Sequence, residues 1–150
     1  MSDGADTVRN LQTYLHPSSE HVLDYFHVAM RLTVLGQQAK SVAADDAELG
    51  EAAAKERERT KHFLWHGNVE RAFETLGGLA FDLDRRRRSA ASIAKLHRAV
   101  GEFEGYLRNN REYIPNHGER YRHGETITTS FVESTINEVI SKRFVKKQQM

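Results

Sequence analysis

Between residues 45 and 110 the chain carries three successive runs with a helical signal, and this stretch most narrows the folds open to it. Ala47 to Trp65 is rich in Ala, Glu, Lys and Arg, the strongest helix formers, and Gly67-Asn68 then supplies a break and an N-cap. Val69, Ala72, Phe73, Leu76, Leu79, Ala80 and Leu83 follow at i, i+3, i+4, i+7 spacing, with Gly77-Gly78 as a place for a kink or a split. Beyond the run Arg85 to Arg88, a third amphipathic helix is marked by Ile93, Leu96, Val100, Phe103 and Leu107. An amphipathic helix must bury its stripe against another element, so three in succession predict a helical subdomain.

The flanks read differently. Ser2 to Asp6 is a polar turn, and Val8, Leu11 and Leu15 suggest a brief helix that Pro17 ends. Val22 to Val28 is nearly continuous in apolar, β-branched and aromatic residues, which fits one short buried strand, with a helix over Ala29 to Ala39 after it. Residues 109 to 127 form a long polar loop in which Arg111, Arg120 and Arg122 alternate with Tyr113 and Tyr121. A last helix spans about Thr128 to Arg143, ahead of a Lys146-Lys147-Gln148-Gln149 tail.

With 150 residues and 39% hydrophobic content, the chain has material for one core. No run approaches the roughly 20 apolar residues that span a bilayer, and the N-terminus lacks the order of a secretory signal, so a soluble, cytoplasmic protein is expected. Zero cysteines exclude disulfides, thiolate nucleophiles and Cys-bearing zinc sites, leaving metal chemistry to Asp, Glu and the eight His. The net charge of +1 conceals a division. Residues 1 to 84 hold 8 Lys/Arg against 14 Asp/Glu, a balance of −6, whereas residues 85 to 150 hold 14 against 7, a balance of +7. Such segregation fits a surface that meets a polyanion, the alternative being a solvated basic face.

Five groups could carry chemistry. At 100° per residue, Phe131, Val132, Ile136, Val139, Ile140 and Phe144 define the apolar side of the last helix, with Glu133 between Ile140 and Phe144 and Glu138 opposite. A carboxylate at the rim of an apolar face needs a cation or a hydrogen-bond donor. Asp3 and Asp6 would ordinarily cap a helix. Asp24-x-x-His27 sits where a strand passes into a helix, and there its spacing could bring the two side chains together for metal or general-base work; a structurally satisfied pair is the commoner outcome. His62-x-x-x-His66 has the i, i+4 spacing of a helical metal site without an intervening Glu to act as base. Arg85 to Arg88 speaks for nucleic acid only in company.

Taken in order, S-D-G-A-D-T-V-R-N-L, V-L-D-Y-F-H-V-A-M-R-L, L-W-H-G and the long block from Tyr113 to Met150 closely resemble insertion-sequence transposases of the ISKra type, over nearly the whole chain. The resemblance implies a mainly α chain, built as a truncated RNase H-like α/β catalytic domain with that one short strand over about 22–28 and a large helical insertion. Residues 1–44 and 111–150 would form the partial catalytic core and 45–110 the insertion. It further implies an Asp-Asp-Glu enzyme in which Asp3 is the second catalytic Asp and Glu133 the catalytic Glu, both metal ligands. Asp24 and His27 match the Asp-x-x-His motif of related mutator-like transposases and would lie at the catalytic site.

Two Mg²⁺ ions would serve such a site, activating the attacking oxygen and stabilising the leaving one. The partner would be DNA, at transposon ends and target, placing the protein on the nucleoid when bound, with a further copy or an intact transposase as a possible oligomeric partner and no membrane. Arg120, Arg122, Lys142, Arg143, Lys146 and Lys147 would hold the DNA backbone. The first catalytic Asp and its strand would lie upstream of Met1, so this chain alone is expected to be inactive. Two alternatives compete: a non-enzymatic helical DNA-binding remnant, and a helical metal-binding protein using Asp24, His27, His62 and His66.

Overall fold

The computed structural model describes residues 21–129 together with Asn10, Tyr14 and Leu15, the last three helical. Asp3, Glu133, Lys142, Arg143, Lys146 and Lys147 lie outside the described residues, as does most of the helix expected over 128–143; Thr128 and Thr129 themselves are not helical. Four long helices carry the fold: α1 Tyr25–Asp45, α2 Ala47–Trp65, α3 Val69–Arg86 and α4 Ala91–Asn109. A 3-10 turn, Arg111–Tyr113, and a short α5, His117–Arg122, follow.

The connections are short. Asp46 alone joins α1 to α2, residues 66–68 join α2 to α3, and 87–90 join α3 to α4, so consecutive helices run antiparallel. Each long helix packs on its sequence neighbours, and α4 closes the ring by packing on α1. One apolar core results, from Leu23, Val28, Leu32, Leu35, Ala39 and Val42 through Leu76, Leu83, Leu96, Val100 and Phe103 to Ile114. α1, most of which the sequence reading sets apart from the helices over 45–110, thus shares one core with them.

The sequence reading of a strand over 22–28 is corrected. Only Val22, Leu23 and Asp24 precede the helix, which begins at Tyr25, and no strand occurs among the described residues. The reason is Asp24, which has extended backbone (φ −71°, ψ 121°) and accepts the Phe26 N–H at 2.8 Å as an N-cap. Behind this cap the apolar run is distributed around a helix, with Val28 buried and Tyr25, Phe26 and His27 half-buried. A run that is apolar on every side reads as a strand in sequence but serves equally well as a helix with two covered faces.

Asp46 caps both neighbours at once. Its N–H closes α1 on the Val42 carbonyl at 2.8 Å, and its carboxylate accepts the Leu49 N–H at 3.0 Å to open α2. Just beyond, α1 and α2 touch backbone to backbone: a Cβ on Gly50 would overlap Ala43. Gly67 takes a positive φ of 71° after α2, a conformation that favours glycine. Gly77-Gly78, read as a kink, lies inside an unbroken α3 on its exposed side. The expected polar loop over 109–127 is partly ordered by the 3-10 turn and α5, which Asn116 caps through the Glu119 N–H at 3.0 Å.

Candidate functional site

The chain enters the bundle and leaves it at the same end. Leu23 N–H donates to the Tyr113 carbonyl at 2.8 Å and Tyr25 N–H to the Ile127 carbonyl at 3.1 Å, so residues 22–25 are clasped by segments that follow α4 and α5. Asp24 lies in this clasp, fully buried. One carboxylate oxygen takes the Phe26 N–H; the other takes the Thr129 N–H at 2.9 Å and the Thr129 hydroxyl. Burial alone would raise the Asp24 pKa, but hydrogen bonds from the Thr129 side chain and N–H, the Phe26 N–H and the Thr128 side chain outweigh it and hold the carboxyl below its ordinary value. The group is therefore an ionised, fully hydrogen-bonded anchor.

This geometry bears on the Asp24-x-x-His27 reading. His27 is half-buried in the first turn of α1, its N–H donating to the Asp24 carbonyl at 3.2 Å and its ring 5.6 Å from that of Phe26. The two residues are adjacent through the backbone, while the Asp24 side chain turns to Thr129. Donors already occupy both of its oxygens, so a metal ion would have to displace them. His62 and His66 do face one another on α2, with ring centroids 4.6 Å apart. Among the described residues no three His, Asp or Glu side chains gather closely enough to hold a metal ion.

A second cluster adjoins the clasp, and sequence reasoning missed it. The Tyr25 ring packs 4.9 Å from Trp65 and 5.0 Å from His117, and Trp65 packs 6.0 Å from Tyr121. His117 is fully buried, and neither ring nitrogen has a hydrogen-bond partner among the described residues. Burial, then the Arg120 charge, push its pKa from 6.5 down to about 4 against an opposing pull from Asp24. The imidazole is neutral at pH 7. Next to it Gly118 leaves room for the Trp65 indole, which any Cβ would overlap. A lone His in a polar loop carries no periodicity, so only the packing of α5 against α2 reveals it.

Of the residues read as DNA contacts, Arg120 turns inward. Its Nε is buried without a partner among the described residues and its Nη2 pairs with Glu125 at 2.8 Å. Arg122 is exposed at the end of α5. The Arg85 to Arg88 run is partly engaged: Arg86 pairs with Asp46 at 2.8 Å, Arg87 with Asp84 at 3.1 Å, and Arg85 lies 6.0 Å from the Phe81 ring. The groove between α2 and α3, about 550 Å³, is lined by Glu56, Arg59, Arg71, Glu74 and Asp82, a mixture of signs unsuited to a polyanion.

Comparison of the chain with family models, with characterised proteins and with solved structures finds no match. Among the described residues no helix is long and apolar enough to cross a membrane.

Proposed function

We propose that this chain is part of an Asp-Asp-Glu DNA transposase, in which a helical insertion interrupts an RNase H-like core between Asp3 and Glu133. One observation carries the reading. The Asp24 carboxylate and Thr129 meet across 105 residues of sequence, and everything between them is the helical body. An inserted domain needs its two chain ends side by side, and the Leu23–Tyr113 and Tyr25–Ile127 hydrogen bonds supply that. The same clasp joins the two segments that resemble family motifs, V-L-D-Y-F-H and T-I-T-T-S-F-V-E.

In this reading Asp3 and Glu133 hold Mg²⁺, whose chemistry is to activate the attacking oxygen and stabilise the leaving oxygen of a phosphodiester. Asp24 acts as an anchor, and His27 lies half-buried in the first turn of α1, close to Thr129, from which the chain continues to Glu133. DNA is held by Arg122 and the basic C-terminal residues Lys142, Arg143, Lys146 and Lys147.

The test uses the chain as it stands. With Fe²⁺ in place of Mg²⁺ and a reductant, radical cleavage of the polypeptide is expected near residues 3 and 133 and should vanish in the Asp3→Asn/Glu133→Gln variant. Cuts elsewhere, or cuts that survive both substitutions, would refute the metal assignment. Binding to duplex DNA should weaken steeply with salt; an affinity flat from 50 to 300 mM would refute the DNA assignment, since phosphate contacts release counterions.

A further inference from the structure

His62 and His66 take part neither in the clasp around Asp24 nor in the core, yet they stand together. The His66 N–H donates to the His62 carbonyl at 3.2 Å, so the helical turn at the end of α2 runs on through His66. Residues four apart leave a helix on the same side, and the two rings lie with centroids 4.6 Å apart and planes at 64°. His62 is exposed and His66 half-buried. Neither imidazole has a hydrogen bond or ion pair among the described residues.

Two rings at this distance can share a metal ion. With metal–nitrogen bonds of about 2.1 Å meeting at roughly 90–110°, the centroids of two imidazoles on one ion lie about 4.5–5.5 Å apart. The rings of His62 and His66 therefore need little movement to close on an ion from solvent. Their place on α2 favours a cation, since His62 lies in the last turn and His66 is the C-cap, where free carbonyl groups give a helix its negative end. Glu58, one turn before His62, borders the same hollow of about 460 Å³ as His62, Tyr25, Lys61 and Trp65. Its carboxylate is already paired with Arg57 and, at 3.8 Å, with Lys61, so the protein ligands number two and water completes the shell.

We propose that His62 and His66 form a two-histidine chelate for a divalent transition-metal ion of the Zn²⁺, Ni²⁺ or Cu²⁺ class. Imidazole nitrogen suits these ions, whereas Mg²⁺ takes hard oxygen ligands. The site thus differs in kind from the carboxylate pair Asp3 and Glu133, and it does not rest on the transposase reading. A bound ion ties the last turn of α2 together just before the Gly67 turn into α3.

The test is titration of the full chain, without a polyhistidine tag, by Zn²⁺ in a calorimeter. His62→Ala and His66→Ala are each expected to weaken binding by roughly tenfold or more, since changes merely around a metal ligand already cost that much. His97→Ala and His123→Ala should leave it unchanged, and a large excess of Mg²⁺ should not displace the ion. Undiminished affinity in either His62→Ala or His66→Ala, or displacement by Mg²⁺, overturns the proposal. A measurement without substitutions guards against misfolding: the ring-proton NMR signals of His62 and His66 should shift together as one equivalent of Zn²⁺ is added, and signals that stay in place overturn it as well. In the Asp3→Asn/Glu133→Gln variant Zn²⁺ binding is expected to persist. Its loss there would put the ion on those carboxylates and refute the chelate, whereas persistence beside a failed iron-cleavage experiment would refute only the transposase metal assignment.

Discussion

Asp24 and His117 face the same end of the bundle and respond to acid in the same direction by different routes. His117 is held neutral in the folded chain, its pKa near 4 against 6.5 when unfolded. Below pH 6.5 the unfolded state binds a proton that the folded state refuses, so stability is complete above 6.5 and declines as the pH falls toward 4. The Asp24 carboxyl is depressed below 3.8, so its contribution is present above that value and is lost as pH falls further, through the folded pKa. Denaturant titrations from pH 7.5 to 4.5 should therefore show a decline that His117→Phe, which keeps an aromatic ring against Tyr25, largely abolishes. A decline unchanged by that substitution would assign it elsewhere. Asp24→Asn replaces an acceptor by a donor facing N–H and O–H groups and is expected to cost about 2–4 kcal/mol, with Thr129→Val costing about 1. A double-mutant cycle should show strong coupling between them. The sequence gives Asp24 its prominence through its spacing from His27. Its true partner, 105 residues away, leaves no trace in any local pattern.

At the scale of elements, the three helices over 45–110 were legible because the first is rich in strong helix formers and ends at Gly67-Asn68, and the other two carry periodic apolar stripes. Where the sequence reading went astray, at 22–28, local residue preference yielded to one capping carboxylate and to packing on two faces. Glycines make the same distinction testable. Gly50 and Gly78 both lie inside helices, and sequence alone treats them alike. Gly50 is where α1 and α2 touch, so Gly50→Ala must push backbone against backbone at Ala43 and is expected to cost about 1–3 kcal/mol. Gly78 meets nothing within 4 Å, so Gly78→Ala should stabilise by about 0.5–1 kcal/mol through helix propensity alone. Thermal melts of the two variants should move in opposite directions. A lower melting temperature for Gly78→Ala would mean that α3 needs flexibility there after all.

For the molecule as a whole, the charge division seen in sequence is partly cancelled by folding. Asp46 pairs with Arg86 at 2.8 Å and Glu70 with Arg111 at 2.6 Å, each joining the acidic half to the basic half. Arg108 pairs with Glu104 and Arg120 with Glu125. Cations that the sequence counts toward a polyanion surface thus already have carboxylate partners, and such exposed pairs contribute little to stability. In the proposed reading the DNA contacts are Arg122, which is exposed, and the C-terminal Lys142, Arg143, Lys146 and Lys147. Each phosphate contact steepens the fall of log affinity with log salt by about 0.9. Replacing those four C-terminal cations with Gln should therefore flatten the slope by about 3 to 4 and weaken binding to all sequences alike, whereas Arg111→Gln should change the slope by less than about 1. If Arg111→Gln flattened it as much as the fourfold variant, the ion pairs seen here would have to open on DNA. The binding surface would then be the bundle itself and not its basic tail.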